Sequence, residues 1–309
     1  ATPCNVPAEG DGGEFGGFDN DDSSGVMRFV VVAEGGETVG AAGDDMNGIG
    51  FAGVGRNTVV EHIQVHGNDD DGIEMFGGAV NIKYAVLTNI ADDSIDWDEG
   101  WQGNIQFAII DQGSLPADRG IESDNAGPAS DSTPRSKPTL SNITFIGGSD
   151  ASQVNLFRRG TGVFMHNSIL FSESNPCLDV DLGENDSSEA EFQGILDGGE
   201  FILNNVLFDC AADTAGDRDD GSDLADLVLT DGNSTIIIGA SADLDANLAS
   251  TAPEALLDTP VDFTGGGAVN GSDTTPDLDF LEATSFLGAV EPGTDGADFR
   301  DWTVEGSLF

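Results

Sequence analysis

The segments Asp70-Asp71-Gly72-Ile73-Glu74 and Asp92-Asp93-Ser94-Ile95-Asp96 lie 22 residues apart and align carboxylate on carboxylate. Carboxylates gathered in one place can hold a hard cation such as calcium, which takes about six to eight oxygen ligands. They can also act as paired acids and bases. The plainer reading is that they close turns and keep a surface wet. Which of these applies depends on the elements that carry them.

Those elements repeat. Strand-like runs begin at residues 28 (RFVVVAE), 61 (EHIQVHG), 83 (KYAVLTN), 106 (QFAIIDQ), 141 (SNITFIG), 166 (HNSILFS) and 204 (NNVLFDC). The first six are each followed by a turn and a shorter run: GIGF from 48, GIEMF from 72, SIDWD from 94, GIESD from 120, VNLF from 154 and CLDVD from 177. The runs are β-branched and aromatic, alternate with period two and are bounded by Gly, Asn and Asp, which excludes helices. A base period of 22 to 25 residues with insertions in loops predicts an all-β, right-handed parallel β-helix.

Alternation then assigns faces. Ile49, Ile73, Ile95, Ile121, Val154 and Leu178 are expected to point inward, with Met75, Trp97, Leu156 and Val180 two positions on. Glu74, Asp96, Glu122, Asn155 and Asp179 form an outward column, and Phe76, Asp98, Asp124, Phe157 and Asp181 a second. Asp70, Asp71, Asp92 and Asp93 fall in the turns that precede these strands. Neighbouring coils stand about 4.8 Å apart. Two carboxylates at that spacing repel by about 1 kcal/mol in water and about 3.5 kcal/mol at an effective dielectric near 20. Where they crowd, something should offset the repulsion. The metal-ligand set expected for calcium is Asp70, Asp71, Asp92, Asp93, Asp96, Asp98 and Asp124, although no EF-hand spacing and no calcium β-roll nonapeptide is present. The catalytic alternative draws on Asp96, Asp98, Glu122 and Asp124 with the scarce cations Arg119 and Arg158, in a lyase or hydrolase. His62, His66 and His166 do not cluster in sequence.

Composition narrows the partners. Ten Lys+Arg against 57 Asp+Glu give a formal net charge of −47, which excludes nucleic acid and disfavours anionic membranes. No apolar run reaches about 18 residues, so membrane insertion is not expected either. A hydrophobic share of 38%, with 18 Phe, argues against disorder, so the charge fits life in high salt or the gathering of divalent cations. Cys177 and Cys210 lie near equivalent corners of successive repeats and are expected to be bonded. Cys4 is then unpaired, or paired outside this sequence. A disulfide points to an oxidising, extracytoplasmic setting. The opening ATPCNVPAEGDGG lacks the basic and apolar parts of a signal peptide, so a mature or upstream-truncated chain is expected.

DDSSGVMRFVVVAEGG, the run from NGIGF to IIDQ, DRGIESDN and the closing FLGAVEPGTD…DWT resemble secreted or surface β-helix proteins of marine and Bacteroidetes-like bacteria, of the hypothetical-protein and lipoprotein type. The resemblance implies the fold, an extracellular or outer-surface location, and further coils upstream; it supplies no catalytic residues. Residues 1–25 are read as an N-terminal loop segment, 26–210 as the coils, and 211–309 as last strands plus a loop-rich wrap whose aromatics fold back over the open end. LVLTDGNSTIIIGAS is expected to supply the last strands. The expected role is structural or adhesive, calcium-stabilised and self-associating through the β-helix ends. The alternative is binding or degradation of a polysaccharide or other cell-surface ligand.

Overall fold

The computed structural model describes residues 6–7, 13–37, 46–126, 131–149, 154–181, 189–215, 224–246, 248–250 and 280–308. A small antiparallel pair, β1 (Val6–Pro7) and β2 (Glu14–Phe15), precedes the main body. Two series of strands then alternate along the chain. Long strands are β3 (Val26–Ala33), β5 (Val59–His66), β7 (Asn81–Thr88), β9 (Asn104–Asp111) and β11 (Thr139–Ile146). Short strands are β4 (Ile49–Ala52), β6 (Ile73–Phe76), β8 (Ile95–Asp98), β10 (Ile121–Ser123) and β12 (Asn155–Arg158). β13 (Val163–His166), β14 (Ile169–Asp181), β15 (Phe201–Thr214) and β16 (Thr235–Ile238) complete the coils. Long strands pair in parallel with long strands and short with short, and β14 runs through from one ladder to the other. This is the expected all-β parallel β-helix.

The core lies between the ladders. In the long strands the inward residues are Ile63 and Val65, Ala85 and Leu87, Ala108 and Ile110, all with no exposure. Each fully buried Ile or Leu contributes about 1.5–3 kcal/mol. The short strands answer with Ile73, Met75, Ile95 and Trp97, equally buried. Every long run also bends in its middle, at a residue in the left-handed region: Phe29 (φ 54), His62 (56), Tyr84 (58), Phe107 (61), Asn142 (55), Asn167 (48) and Asn205 (54). This corner resets the alternation, so each long strand lays two separate stretches on the core. A non-glycine residue there costs about 1–2 kcal/mol. Asn tolerates the conformation, and the aromatic members offset the cost by stacking: Phe29 on His62 at 4.7 Å, His62 on Tyr84 at 4.6 Å and Tyr84 on Phe107 at 5.2 Å.

One strand departs from the expected register. Asn155 pairs with Ile121 and Leu178, Leu156 with Glu122 and Asp179, and Phe157 with Ser123 and Val180. β12 is therefore one residue out of step with its sequence alignment, which reverses its faces. Phe157, expected outside, is buried against Trp97 and Phe201. Leu156, expected inside, stands in the outward column, and Arg158 takes the place assigned to Phe157. The swap puts the larger ring into the core, where Ser123 of the neighbouring coil leaves room.

The C-terminal part also differs from expectation. Two short helices, α1 (Glu189–Asp197) and α2 (Ala225–Thr230), cover the last coils with Phe192, Ile195, Leu196, Leu224, Ala225 and Val228, which join the core. Leu227–Thr230, read as strand, is thus helical; of that stretch only Thr235–Ile238 pairs as a strand, on β15. The described closing aromatics Phe286, Phe299 and Trp302 pack on the flank of the long strands rather than over an end. Residues 280–308, with the four-residue helix α3 (Ala297–Arg300), run along the flank of the long strands. They are tied there by Gln64 to Val304 and Ser307, Gln106 to Glu282, Asn142 to Phe286 and Gly288, and Thr144 to Ala289. Residues 251–279 and Cys4 lie outside the described residues. Cys177 in β14 and Cys210 in β15 form a disulfide between adjacent coils. Closing this 33-residue separation is worth about 3–4 kcal/mol. Among the described residues no helix is long and apolar enough to cross a membrane.

Candidate functional site

The outward side of the short strands gathers the carboxylates. Parallel pairing places Glu74 beside Asp96 through the β6–β8 register, and Ile95 opposite Ile121 brings Glu122 into the next rung. The turns before these strands add their own acids. Asp71 Oδ1 accepts the amide of Asp93 at 3.1 Å, and Asp93 Oδ1 accepts the amide of Arg119 at 2.9 Å. Asp71 and Asp93 thus each cap the backbone of the following coil, the architectural role that Asp serves in turns.

Turn and strand carboxylates are not separate, however. Four overlapping triads, Asp70–Asp71–Asp92, Asp71–Glu74–Asp96, Asp92–Asp93–Asp118 and Asp93–Asp96–Glu122, each bring one oxygen per residue within 4.8 Å of the others. Asp71, Glu74, Asp93 and Glu122 are buried, and Asp96 is partly buried. Asp96 Oδ1 is enclosed and has no hydrogen-bond partner among the described residues. Burial first, then the neighbouring carboxylates, pushes Asp71, Asp93 and Asp96 well above the ordinary carboxylate range. Burial also raises Glu122, against the opposing pull of Arg158 and Arg119. These groups are carboxylates that lack enough positive charge.

Of the seven residues expected as metal ligands, Asp70, Asp71, Asp92, Asp93 and Asp96 fall within this cluster. Asp98 and Asp124 lie at the far end of the short strands. Asp98 accepts the Glu99 amide at 2.5 Å and is raised to about 6, chiefly by burial. Asp124 is taken up by Arg158, through Nε at 2.9 Å and Nη2 at 3.1 Å, and by Arg159 at 2.5 Å. Three members stand outside the expected ligand set: Glu122, named only for the catalytic alternative, Glu74 and Asp118. Glu74, placed in the outward column but not among the ligands, joins Asp71 and Asp96 and receives the Asn47 amide at 2.5 Å. Asp118 lies in the third copy of the repeat, where Asp118-Arg119-Gly120-Ile121 aligns with Asp92-Asp93-Ser94-Ile95; carrying the alignment one coil further finds it.

The cations named for catalysis are engaged. Arg158 pairs with both Glu122 and Asp124, and Arg119 with Asp118 and, at 3.6 Å, with Glu122. Guanidinium does not lose its proton in proteins, so neither arginine can serve as a base while so held. The histidines stand apart from the cluster. His62 is sandwiched in the aromatic corner, His66 Nδ1 contacts Thr88 at 2.7 Å, and His166 is buried and lowered to about 4.

A parallel β-helix that carries an acidic, oxygen-rich face over several coils is the class these features define. A family model described as a pectate-lyase like beta helix domain matches residues 5–249, and the chain belongs to that family. No curated protein and no solved structure matches the chain.

Proposed function

We propose that the chain is a calcium-stabilised β-helix of structural or adhesive type that works outside the cytoplasm and binds an acidic polysaccharide without cleaving it. One observation carries the reading. Asp71, Glu74, Asp93, Asp96 and Glu122 form a continuous chain of close oxygens that includes the enclosed, unpartnered Oδ1 of Asp96. A hard divalent cation fits this all-oxygen donor set better than a soft metal, which prefers sulfur or imidazole. When bound it supplies positive charge to a face that otherwise repels anionic sugars. The chain's own residues supply the rest. Asp71 and Asp93 fix the coil-to-coil spacing through backbone amides, and Arg158 and Arg119 hold Glu122 in place. Family membership supports a carbohydrate-facing role. The occupied arginines favour binding over a lyase, which needs a basic group able to take a proton.

Self-association belongs to the same reading and would use the N-terminal edge. There β3 leaves Val26 and Phe29 exposed, whereas α1 and α2 lie over the last coils. The test is to incubate the protein with polygalacturonate or alginate, with calcium and with chelator, while following both retention and unsaturated or reducing ends. Calcium-dependent retention without new ends is expected. Cleavage of either polymer would overturn the binding reading in favour of catalysis.

A further inference from the structure

At the C-terminal ends of the short strands, the turns after β4, β6 and β8 line a groove of about 450 Å³. Gly53, Gly77, Gly78 and Gly100 leave this part of the lining without side chains. Two of them are fixed as glycine by φ values of 76° and 83° and by close packing: a Cβ at Gly78 would stand 2.6 Å from the Val54 carbonyl, and one at Gly100 2.6 Å from the Pro134 carbonyl. The N-terminal segment 15–22 and the 132–134 loop also line the groove, and both are pinned. The Asn20 and Asp22 carbonyls accept the amides of Arg56 and Asn57 at 2.8 and 3.2 Å, and Arg56 pairs with Asp21 at 2.9 Å. Across the groove, Asn125 donates to the Ser132 carbonyl at 3.0 Å and accepts the Ser136 amide at 2.8 Å. The groove has a free ring and free acceptors. Phe18 is 68% exposed, and among the described residues its ring meets no other ring or cation. The Asp22 and Glu99 carboxylates likewise make no ion pair and accept no hydrogen bond there.

We infer that this groove binds a neutral oligosaccharide of pyranose units. A pyranose has an apolar C–H face that can cover the exposed Phe18 ring, and hydroxyl donors around its rim. Asp22 and Glu99 accept such hydroxyls in charge-assisted hydrogen bonds, and Asn20 and Thr133 add shorter polar partners. The glycines let a flat ring lie close to the backbone, and the pinned segments spare the cost of ordering the site on binding. Other ligand classes fit less well. An anionic sugar meets Asp19, Asp22 and Glu99, and among the described residues no Lys, Arg or His lines the groove to answer its charge. A purely apolar ligand would strip water from those carboxylates and give them no partner. The site stands at the opposite end of the short strands from the turn carboxylates and needs no calcium. Its fate and that of the proposed function are therefore decided separately.

Cellopentaose, mannopentaose and xylopentaose are the probes, in chelator, with pentagalacturonate as the anionic control. Saturation-transfer NMR from the protein's aromatic protons reads contact between ring and sugar. Saturable binding of at least one neutral probe is expected, with transfer strongest to the C–H protons of one sugar face. Pentagalacturonate should bind at least about ten-fold more weakly. Phe18→Ala changes an exposed position and should weaken the neutral probe by about five-fold or more. Asp22→Asn with Glu99→Gln should weaken it by about five-fold or more as well. Both variants should keep the parent's melting temperature, which separates loss of the site from loss of the fold. The absence of saturable binding by all three neutral probes would overturn the proposal. So would undiminished binding by Phe18→Ala, or pentagalacturonate binding as tightly as the neutral probes.

Discussion

Two columns of like residues climb this β-helix, and the same geometry favours one and burdens the other. At the left-handed corner Phe29, His62, Tyr84 and Phe107 stack ring on ring, and the Asn142, Asn167 and Asn205 positions continue the column. On the short strands Glu74, Asp96 and Glu122 stack charge on charge. A solenoid forces equivalent positions to within about 5 Å of each other. Rings gain from that proximity, worth about 0.5–1.5 kcal/mol per pair beyond burial. Carboxylates lose by it, and must be met by a proton, an arginine or a metal. The chain uses arginine where Arg158 and Arg119 reach Glu122, and leaves Asp71, Asp93 and Asp96 with raised pKa values. Stacking is therefore a source of stability in one column and a reason to recruit a cation in the other.

Breaking the aromatic column should have the larger effect. Phe107 is buried between Tyr84 of the preceding coil and Phe286 of the C-terminal segment. Phe107→Ala is expected to cost about 3–5 kcal/mol in denaturant unfolding. Phe107→Asn should cost less, because Asn accepts the left-handed backbone and extends the Asn positions that follow. Equal losses for the two variants would show that the backbone conformation is not under this constraint. On the acidic face, Arg158→Ala removes the cation shared by Glu122 and Asp124. The expected loss is about 2–3 kcal/mol, less than for a fully buried pair because the Arg158 side chain is 25% exposed. A stability unchanged in calcium-free buffer would remove arginine from the list of compensations.

The coil repeat, the inward Ile and Trp positions and the acidic columns were legible because period-two alternation and the 22-residue offset are local signals. The β12 register was not. Val154 and Leu156 give the expected apolar alternation, yet the pairing puts Phe157, opposite Ser123 and Val180, on the core side in place of Leu156. The corner was hidden because aromatic residues stand where Gly or Asn would advertise a positive φ; only Asn142, Asn167 and Asn205 at equivalent positions mark it. The α1 helix carried a readable signal in Phe192, Ile195 and Leu196, spaced three and four apart. The flank-hugging path of 280–308 depends on long-range contacts such as Gln64 with Val304, which no local pattern encodes. In the site, the separation of turn acids from strand acids was misleading, because the chain turns tightly enough to bring Asp71 against Glu74 and Asp96.

Thermal unfolding against pH shows whether a cation relieves the acidic column. A buried carboxyl with a raised pKa holds its proton more tightly folded than unfolded. Its stabilisation is complete below the unfolded value of 3.8 and is lost as pH rises through the folded value, about 6 for Asp98 and higher than usual for Asp71, Asp93 and Asp96. In chelator these groups should therefore lower the melting temperature as pH climbs from about 4 to 7. A calcium ion held by these oxygens would take the ionised form, so under the proposal its effect should grow across the same window, reaching about 5 °C at neutral pH and vanishing near pH 4. Asp96→Asn should abolish most of that calcium shift. Identical melting curves with calcium and with chelator at neutral pH would mean that calcium does not relieve these carboxylates.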